Sequence, residues 1–304
     1  MKTFAITALC ALLFAGTLRA EIIAYEPFMY SGGNGQSIVG EGTGTGWGGE
    51  YPTWYKDFPF NHPVNYAVMT RHSTHTNGFP QFEFNYTDGK GVSVPTSGKT
   101  YARFADTRNA SYQGATHEGK VFWWEVFASR TFAETNYVYV GESVWFSVSA
   151  LQRDRYDDVS RRVWLSITGL GASWNIVGNI SAAGNTYNQW GIRAYVGTKD
   201  ELVMASPVAG TTIPDFLVAR LTVNSPTTCT VSLWINPADT SSVSALGTSN
   251  AYRNNINISH YAYHGFRVGV SMGRTLCFDE VRVGTTLKDV IKYNPYGPTM
   301  LIIK

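Results

Sequence analysis

Three tryptophans have the residue type and the spacing that suit ligand contact. Trp145, Trp164 and Trp234 each take the polar position of a segment whose alternate residues are apolar. If their strands share a sheet, all three indoles project from the same outer face. Indole faces stack on the apolar C–H groups of sugars, and nearby Asn and Ser side chains supply hydrogen bonds. The pattern predicts a carbohydrate-contact surface; the alternative is a second core, in which loops of the N-terminal third cover the rings.

The spacing of the carboxylates does not favour glycoside hydrolysis. Strand-based enzymes of that class place two carboxylates on one strand face, at i, i+2 or i, i+4. No two acidic residues lie at i, i+2, and the one i, i+4 pair, Asp154 and Asp158, falls in a charged turn. We therefore expect a protein that is not an enzyme, unless two different strands supply one carboxylate each.

One segment matches a hydrolase motif in its letters. Residues Gly269–Gly273 read G-x-S-x-G. A nucleophile elbow needs a strand, a sharp turn and a helix around its serine. Ser271 instead lies in an apolar strand pattern that continues to a hairpin and a further strand, which favours a chance match.

Metal-binding patterns are weak. Two pairs of histidines are close in the chain, His72 with His75 and His260 with His264. Neither pair lies in a helical pattern or has a Glu at the spacing of zinc proteases. Loop oxygens of the acidic turn at 154–158 would suit calcium, but four neighbouring arginines favour local ion pairs instead. We expect no cofactor, with calcium as the one metal that this turn could hold.

The N-terminus has the composition of a secretory signal peptide. A short basic start precedes the apolar run Phe4–Ala15, and Gly16–Ala20 provides a cleavage region. The apolar run is too short to span a bilayer. We expect a signal peptide over 1–20 and a secreted or periplasmic mature protein without a membrane span.

Charge and cysteine content limit the partners and the covalent links. The chain has 24 basic and 22 acidic residues, and loss of Lys2 and Arg19 with the signal leaves 22 of each. A neutral chain is a poor partner for nucleic acid. Cys229 and Cys277 remain in the mature chain. An oxidising compartment permits a disulfide between them, and two separate buried thiols are the alternative.

Apolar residues recur with period two, which is typical of half-buried strands. The clearest cases are residues 143–150, 163–168, 231–236, 268–272 and 277–283, separated by Gly, Asn and Pro turns. Many strands without alternating helices predict an all-β, two-sheet antiparallel jelly-roll sandwich. Residues 21–119 alternate weakly and are interpreted as one strand followed by long loops, and residues 286–291 as a short helix.

Several segments resemble a known family. Tyr25–Tyr30 and Gly44–Gly49 are similar to an opening "E-x-F-x-Y…G-x-G-W", and Phe278–Gly284 to a last strand "D-E-[IV]-R-[IV]-G". A hairpin late in the pattern of the same family is similar to Ala219–Val223 followed by Thr230–Pro237. Together they resemble the LamG-like, concanavalin A-like jelly-roll domain of secreted bacterial proteins. The resemblance implies such a domain over 21–290, followed by a short tail over 291–304, and implies no reaction.

These observations lead to a secreted, non-catalytic binding module. Its expected partner is an extracellular polysaccharide or surface glycan, held by Trp145, Trp164 and Trp234. The first alternative is a structural or adhesive protein of the envelope or matrix. The second is a divergent polysaccharide-degrading enzyme.

Overall fold

A computed structural model describes residues 22–28, 30, 36–50, 52–57, 67–73, 86–91, 93–94, 100–106, 116–117, 120–121, 125–153, 163–171, 174–178, 189–205, 214–271 and 275–292. The predicted signal peptide and the 154–158 turn lie outside these residues. The described elements, in chain order, are β1 (Ile22–Glu26), β2 (Tyr55–Asp57), β3 (Ala67–Ser73), β4 (Tyr86–Thr87), β5 (Ser93–Val94), β6 (Thr100–Asp106), β7 (Thr116–His117), β8 (Lys120–Val121), β9 (Glu125–Tyr137), β10 (Ser143–Arg153), β11 (Val163–Gly169), β12 (Trp174–Gly178), β13 (Trp190–Val196), β14 (Lys199–Met204), β15 (Asp215–Ser225), β16 (Thr228–Ile235), β17 (Ala251–Asn257), β18 (Ala262–Ser271), β19 (Thr275–Gly284) and α1 (Leu287–Lys292).

Two antiparallel sheets contain fifteen of these strands. The first sheet has the order β17-β16-β15-β10-β19-β6-β3, and β1 also pairs with β19. The second sheet has the order β14-β13-β12-β11-β18-β9-β2. β4 pairs with β5 and β7 with β8 as separate short hairpins. The predicted fold class, an all-β two-sheet antiparallel jelly-roll sandwich, is confirmed.

The period-two segments of the sequence coincide with strands, and residues 286–291 overlap α1. The interpretation of residues 21–119 as one strand followed by long loops is wrong, because β2, β3 and β6 join the two sheets and β4, β5 and β7 belong to short hairpins. β3 and β6 are seven-residue strands within that stretch and pair with each other at one side of the first sheet. Their sequences mix polar and apolar residues, so alternation alone did not distinguish them from loops.

The sandwich interior follows from the same alternation. Every second residue of the long strands faces the opposite sheet and loses its contact with water, which stabilises the fold by about 1.5–3 kcal/mol for each fully buried Val, Leu, Ile or Phe side chain. In β10 and β11 these buried residues are Val144, Phe146, Val148, Val163, Leu165 and Ile167. Polar or aromatic residues between them face outward.

The two remaining cysteines do not form a disulfide. Cys229 lies on β16 and Cys277 on β19, and both are buried thiols. β15 and β10 run between these strands, so three strand spacings, or roughly 14 Å, separate them. A disulfide requires Cα atoms within about 7 Å. Of the two alternatives that the sequence leaves open, the structure confirms two separate buried thiols, because strand order sets Cys229 and Cys277 apart.

The glycine-rich loop after β1 lies directly on that strand. Gly44 and Gly46 both have a φ of +79°. A Cβ atom would lie 1.8 Å from the carbonyl oxygen of Tyr25 at Gly44, and 1.9 Å from that of Ile23 at Gly46. Only glycine permits this approach and this backbone conformation. It allows Thr45 to exchange two backbone hydrogen bonds with Tyr25, at 2.9 and 3.0 Å.

Candidate functional site

Trp145 and Trp234 lie on the outer face of the first sheet, as their parity predicts, but they are covered. Their rings stack with centroids 5.9 Å apart and planes 18° apart. Only 4% of Trp145 and 5% of Trp234 is exposed. They belong to a second core completed by Phe216, Val218, Leu246, Leu287, Val290 and Ile291. For these two indoles the predicted exposure is wrong and the alternative, a second core, is confirmed. The cover differs from the predicted one, since α1 and the segment around Leu246 pack over the rings.

Trp164 lies elsewhere. It is on β11 in the second sheet, so the three tryptophans do not share a face. Its ring contacts that of Phe127 at a centroid distance of 6.0 Å, and 2% of the residue is exposed. The predicted exposure of Trp164 is also wrong. A stacking platform needs an open ring face, which none of the three indoles offers.

Helix α1 is fixed over the first sheet by hydrogen bonds. The Asp289 carboxylate accepts from the backbone N–H of Thr286 at 2.7 Å and from its hydroxyl at 2.9 Å. This contact satisfies a donor at the start of the helix. The Ser147 hydroxyl on β10 donates to the carbonyl of Val290 at 2.7 Å. The cover over the indoles is therefore tied to the sheet by polar as well as apolar contacts.

The first buried carboxylate, Glu26, joins the two sheets. It is fully buried on β1 and pairs with Arg130 of β9. It also accepts hydrogen bonds from the hydroxyls of Thr43 and Tyr30 and from the N–H of Phe28. Burial raises the pKa of Glu26, while Arg130 and these donors oppose the rise. A carboxylate enclosed in this way has no access to a polymer outside the protein.

The acidic residues of β19 are buried too. The Tyr25 hydroxyl and the Arg282 guanidinium both donate to Glu280 Oε2 at 2.7 Å. Asp279 Oδ1 accepts from the N–H of Glu280 at 2.8 Å. Burial, and then the charge of Glu280, raise the pKa of Asp279 well above its ordinary value. Perturbed carboxyls often mark active sites, but 1% or less of Asp279 and Glu280 is exposed, so we assign them a structural role.

The other sequence motifs form no described site. Ser271 ends β18, which leads to another strand, β19, and not to a helix. His260 lies in the loop before β18, and His264 lies on that strand. Among the described residues, no three His, Cys, Asp or Glu side chains gather as a metal site, and no helix is long and apolar enough to cross a membrane. His75, Asp154 and Asp158 lie outside the described residues, and nothing is described of the side chain of His72.

Three tyrosines at one end of the sandwich form the candidate site, which we call the tyrosine surface: Tyr137, Tyr139 and Tyr261. Tyr137 is 57% exposed and Tyr139 54% exposed. Their rings are nearly parallel, with an interplanar angle of 9° and centroids 6.3 Å apart. Tyr261 contacts Tyr139 at a centroid distance of 5.6 Å and is itself partly buried against the core. The cluster presents contiguous aromatic area together with phenol hydroxyls.

The backbone holds the tyrosine surface from both sheets. The N–H of Val138, which is buried between the two exposed tyrosines, donates to the carbonyl of Tyr261 at 3.1 Å. On the other side, Gly141 donates to the carbonyl of Val223 in the first sheet at 2.8 Å. Gly141 has a φ of +89°, which favours glycine at this turn. The rings are thus carried by a fixed connection between β9 and β10.

Polar groups border the tyrosine surface. Glu142 is exposed, and its Oε2 accepts the N–H of Tyr139 at 2.9 Å. The Asn136 side-chain amide donates to the carbonyl of Glu134 at 2.9 Å. His260 is exposed next to Tyr261. Acceptors and donors therefore lie beside the rings, which is the composition that a sugar-binding surface needs.

The same parity rule that singled out the tryptophans also applies to the tyrosines. Tyr137 and Tyr139 are two residues apart, on either side of an apolar valine and just before a glycine turn. Aromatics at i and i+2 share a face. The missing information was the cover, since nothing in the local sequence says that the tyrosines stay open while the tryptophans are packed over.

No protein-family model matches the chain, and no curated protein does. The LamG-like family therefore stays a prediction. Several solved structures are similar to this chain. One is an endo-β-1,4-glucuronan lyase from the fungus Trichoderma reesei, with 15% identity, coverage of 73% of this chain and 97% of that chain, and a TM-score of 0.40.

Two further similar structures are sugar-binding proteins by name. The carbohydrate recognition domain of Emp47p has 6% identity, coverage of 60% of this chain and 83% of that chain, and a TM-score of 0.37. Peanut lectin, solved with a nine-residue peptide, has 11% identity, coverage of 72% and 97%, and a TM-score of 0.32. The fold class rests on the strand order of this chain itself.

Proposed function

We propose that the protein is a non-catalytic carbohydrate-binding module and that the tyrosine surface is its contact site. The single observation that carries the proposal is the contact between three tyrosines, two of them more than half exposed. Aromatic faces bind the apolar C–H faces of sugar rings, and the phenol hydroxyls reach the sugar hydroxyls. Adjacent exposed aromatics are typical of interaction sites.

The rigid support of the rings favours binding. A tyrosine has only two side-chain torsions, and here the backbone around the pair is hydrogen-bonded to both sheets. Little conformational entropy is lost when a ligand settles on such a surface. The nearly parallel rings of Tyr137 and Tyr139 suit an extended polymer that contacts two positions along the chain.

The burial of the perturbed carboxyl groups favours binding over catalysis. Among the described residues, the carboxyl groups with a raised pKa, Glu26 and Asp279, are both buried. Glycoside hydrolysis needs two carboxyl groups about 5–10 Å apart that both reach the substrate. The function therefore rests on stacking and hydrogen bonding, with an extracellular polysaccharide or surface glycan as partner.

The test is a binding panel with a matched control. The mature protein is incubated with insoluble and soluble polysaccharides, and both protein depletion and new sugar ends are measured. The double variant Tyr137→Ala/Tyr139→Ala should bind about tenfold or more weakly, since each ring contributes about 0.5–1.5 kcal/mol. Tyr252→Ala should bind like the wild type, because Tyr252 is similarly exposed, at 53%, but lies away from the cluster on β17.

The opposite results are equally clear. Equal binding by the double variant and the wild type would remove the tyrosine surface from the proposal. Release of sugar ends would show an enzyme. If no polysaccharide in a broad panel binds the wild type, the structural or adhesive role would replace carbohydrate binding.

A further inference from the structure

Arg220 lies on the outer face of the first sheet and has no counter-ion among the described residues. It is half-buried on β15, directly beside Trp145 of β10. It takes part in none of the ion pairs that the described residues form, and its Nε has no hydrogen-bond partner among them. That Nε is itself closed to solvent. The two terminal nitrogens are not among the buried unpartnered atoms and donate to no described group, so they can reach an external acceptor.

The indoles hold the guanidinium in place. Its central carbon lies 5.3 Å from the ring centroid of Trp145 and 5.8 Å from that of Trp234. A guanidinium over an aromatic face gains a cation–π interaction and keeps its N–H donors in its own plane. The covered tryptophans therefore act as a rigid support that fixes the donor directions of Arg220.

Two hydroxyl-bearing residues neighbour Arg220 on this face of the sheet. Thr222 lies two residues along β15 and is half-buried, whereas Ser232 of β16, directly opposite Arg220 in the strand register, is only 3% exposed. Thr222 shares a hydrogen bond of 2.8 Å with Ser143, and Thr230 accepts one from Asn224 at 2.5 Å. A hydroxyl that already accepts can still donate to a further group.

We propose that Arg220, with the hydroxyl of Thr222, is a binding site for an oxyanion, namely a sulfate or carboxylate group carried by a polymer. The planar fork of arginine matches two oxygens of such a group, and the hydroxyl donates to another. The site lies on the outer face of the first sheet and is distinct from the tyrosine surface. It does not depend on the proposed function.

The first experiment compares three polymers with one backbone: dextran, dextran sulfate and carboxymethyl dextran. Binding to the full mature protein is measured by calorimetry at two NaCl concentrations. The wild type should bind at least one charged polymer and not dextran, and the preferred polymer distinguishes a sulfate site from a carboxylate site. Arg220→Gln should bind roughly tenfold or more weakly, as expected for the loss of a charged hydrogen-bonding group.

Two controls separate a local site from general charge and from the tyrosine surface. Arg253→Gln removes the same charge from β17, where Arg253 pairs with Glu201 of β14. It should bind the charged polymer like the wild type, and so should Tyr137→Ala/Tyr139→Ala. Unchanged binding by Arg220→Gln, or equal loss in both arginine variants, would overturn the proposal. So would a wild type that prefers neither charged polymer to dextran.

A measurement on the unaltered protein covers the case in which Arg220→Gln fails to fold. The Arg220 Nε–H signal in a ¹H–¹⁵N spectrum is followed during addition of sodium sulfate and then sodium acetate. Sodium chloride at equal ionic strength is the control, and Arg220→Lys assigns the signal. A saturable shift with either oxyanion and none with chloride is expected; equal behaviour in all three salts would contradict the site.

Discussion

Two stacked aromatic pairs of similar geometry have opposite surroundings in this protein. The centroids are 5.9 Å apart in the Trp145–Trp234 pair and 6.3 Å apart in the Tyr137–Tyr139 pair. Tyr137 and Tyr139 are two residues apart in the chain, whereas Trp145 and Trp234 are brought together by the strand order of the first sheet. The tryptophans are covered by α1 and stabilise a second core, whereas the tyrosines project from a turn that nothing described covers. A ring's position on a strand therefore does not determine its role; the cover does.

The largest expected effect on stability comes from removing one ring of the buried tryptophan pair. Trp234→Ala should lower the free energy of unfolding by about 3–5 kcal/mol, because it removes a buried ring and leaves a cavity. Chemical denaturation measures the change, with Tyr252→Ala as a control at an exposed aromatic. A loss below about 1 kcal/mol would mean that the tryptophans are not a core and would erase the contrast between the two pairs.

A smaller loss of stability should follow from truncating a side chain of α1 that packs over the tryptophans. Ile291→Ala should cost about 2–3 kcal/mol, as expected for a buried isoleucine at the end of a helix. It should also increase acrylamide quenching of tryptophan fluorescence, since Ile291 packs in the cluster with both indoles. The exposed Lys288 on the same helix provides a control, Lys288→Ala. Unchanged quenching in Ile291→Ala would show that another element covers the rings.

The buried carboxyl group of Asp279 should make the free energy of unfolding depend on pH. The pKa of Asp279 is raised in the folded protein by burial and by Glu280. Above the unfolded value of about 3.9, the folded protein retains a proton that the unfolded chain releases, so stability falls as pH rises toward the folded pKa. Asp279→Asn should reduce this fall, leaving the contribution of the same sign from Glu26.

Urea unfolding of the wild type and Asp279→Asn across the acidic range measures this difference. Tyr137→Ala is the matched control from the open region and should keep the wild-type slope. Identical slopes in the wild type and Asp279→Asn would contradict the raised pKa of Asp279.

The smallest effect on stability is expected at the tyrosine surface. Tyr137→Ala and Tyr139→Ala should each change the free energy of unfolding by no more than about 0.5 kcal/mol, as is usual for exposed side chains. Thermal unfolding detects the change. A loss of several kcal/mol in either variant would mean that the rings support the fold, and the contrast with the tryptophans would disappear.

Much of the fold was predictable from local sequence. Alternation in residues 143–150 and 163–168 identified β10 and β11 and their inward sides, and the pattern at 286–291 identified the helix. β3 and β6 were not predictable, because their mixed composition gives no clear period. β3 pairs with β6, and β6 pairs with β19. Each strand therefore forms because a distant part of the chain supplies its partner.

The candidate site was predictable only in kind. The sequence indicated aromatic rings on outward positions and located them at Trp145, Trp164 and Trp234. It gave no sign that Trp164 belongs to the second sheet, that Cys229 and Cys277 lie three strand spacings apart, or that Arg220 stands over two indoles. Each of these facts depends on strand order.

By itself, then, the sequence determined strand content, antiparallel sandwich architecture and the side of each strand on which a residue lies. Those properties follow from the period-two geometry of an extended chain, which acts between near neighbours. Tertiary structure alone decided which outer faces are covered. Burial depends on contacts such as Trp234 with α1 and Glu26 with Arg130, whose partners are tens of residues or more apart in the chain.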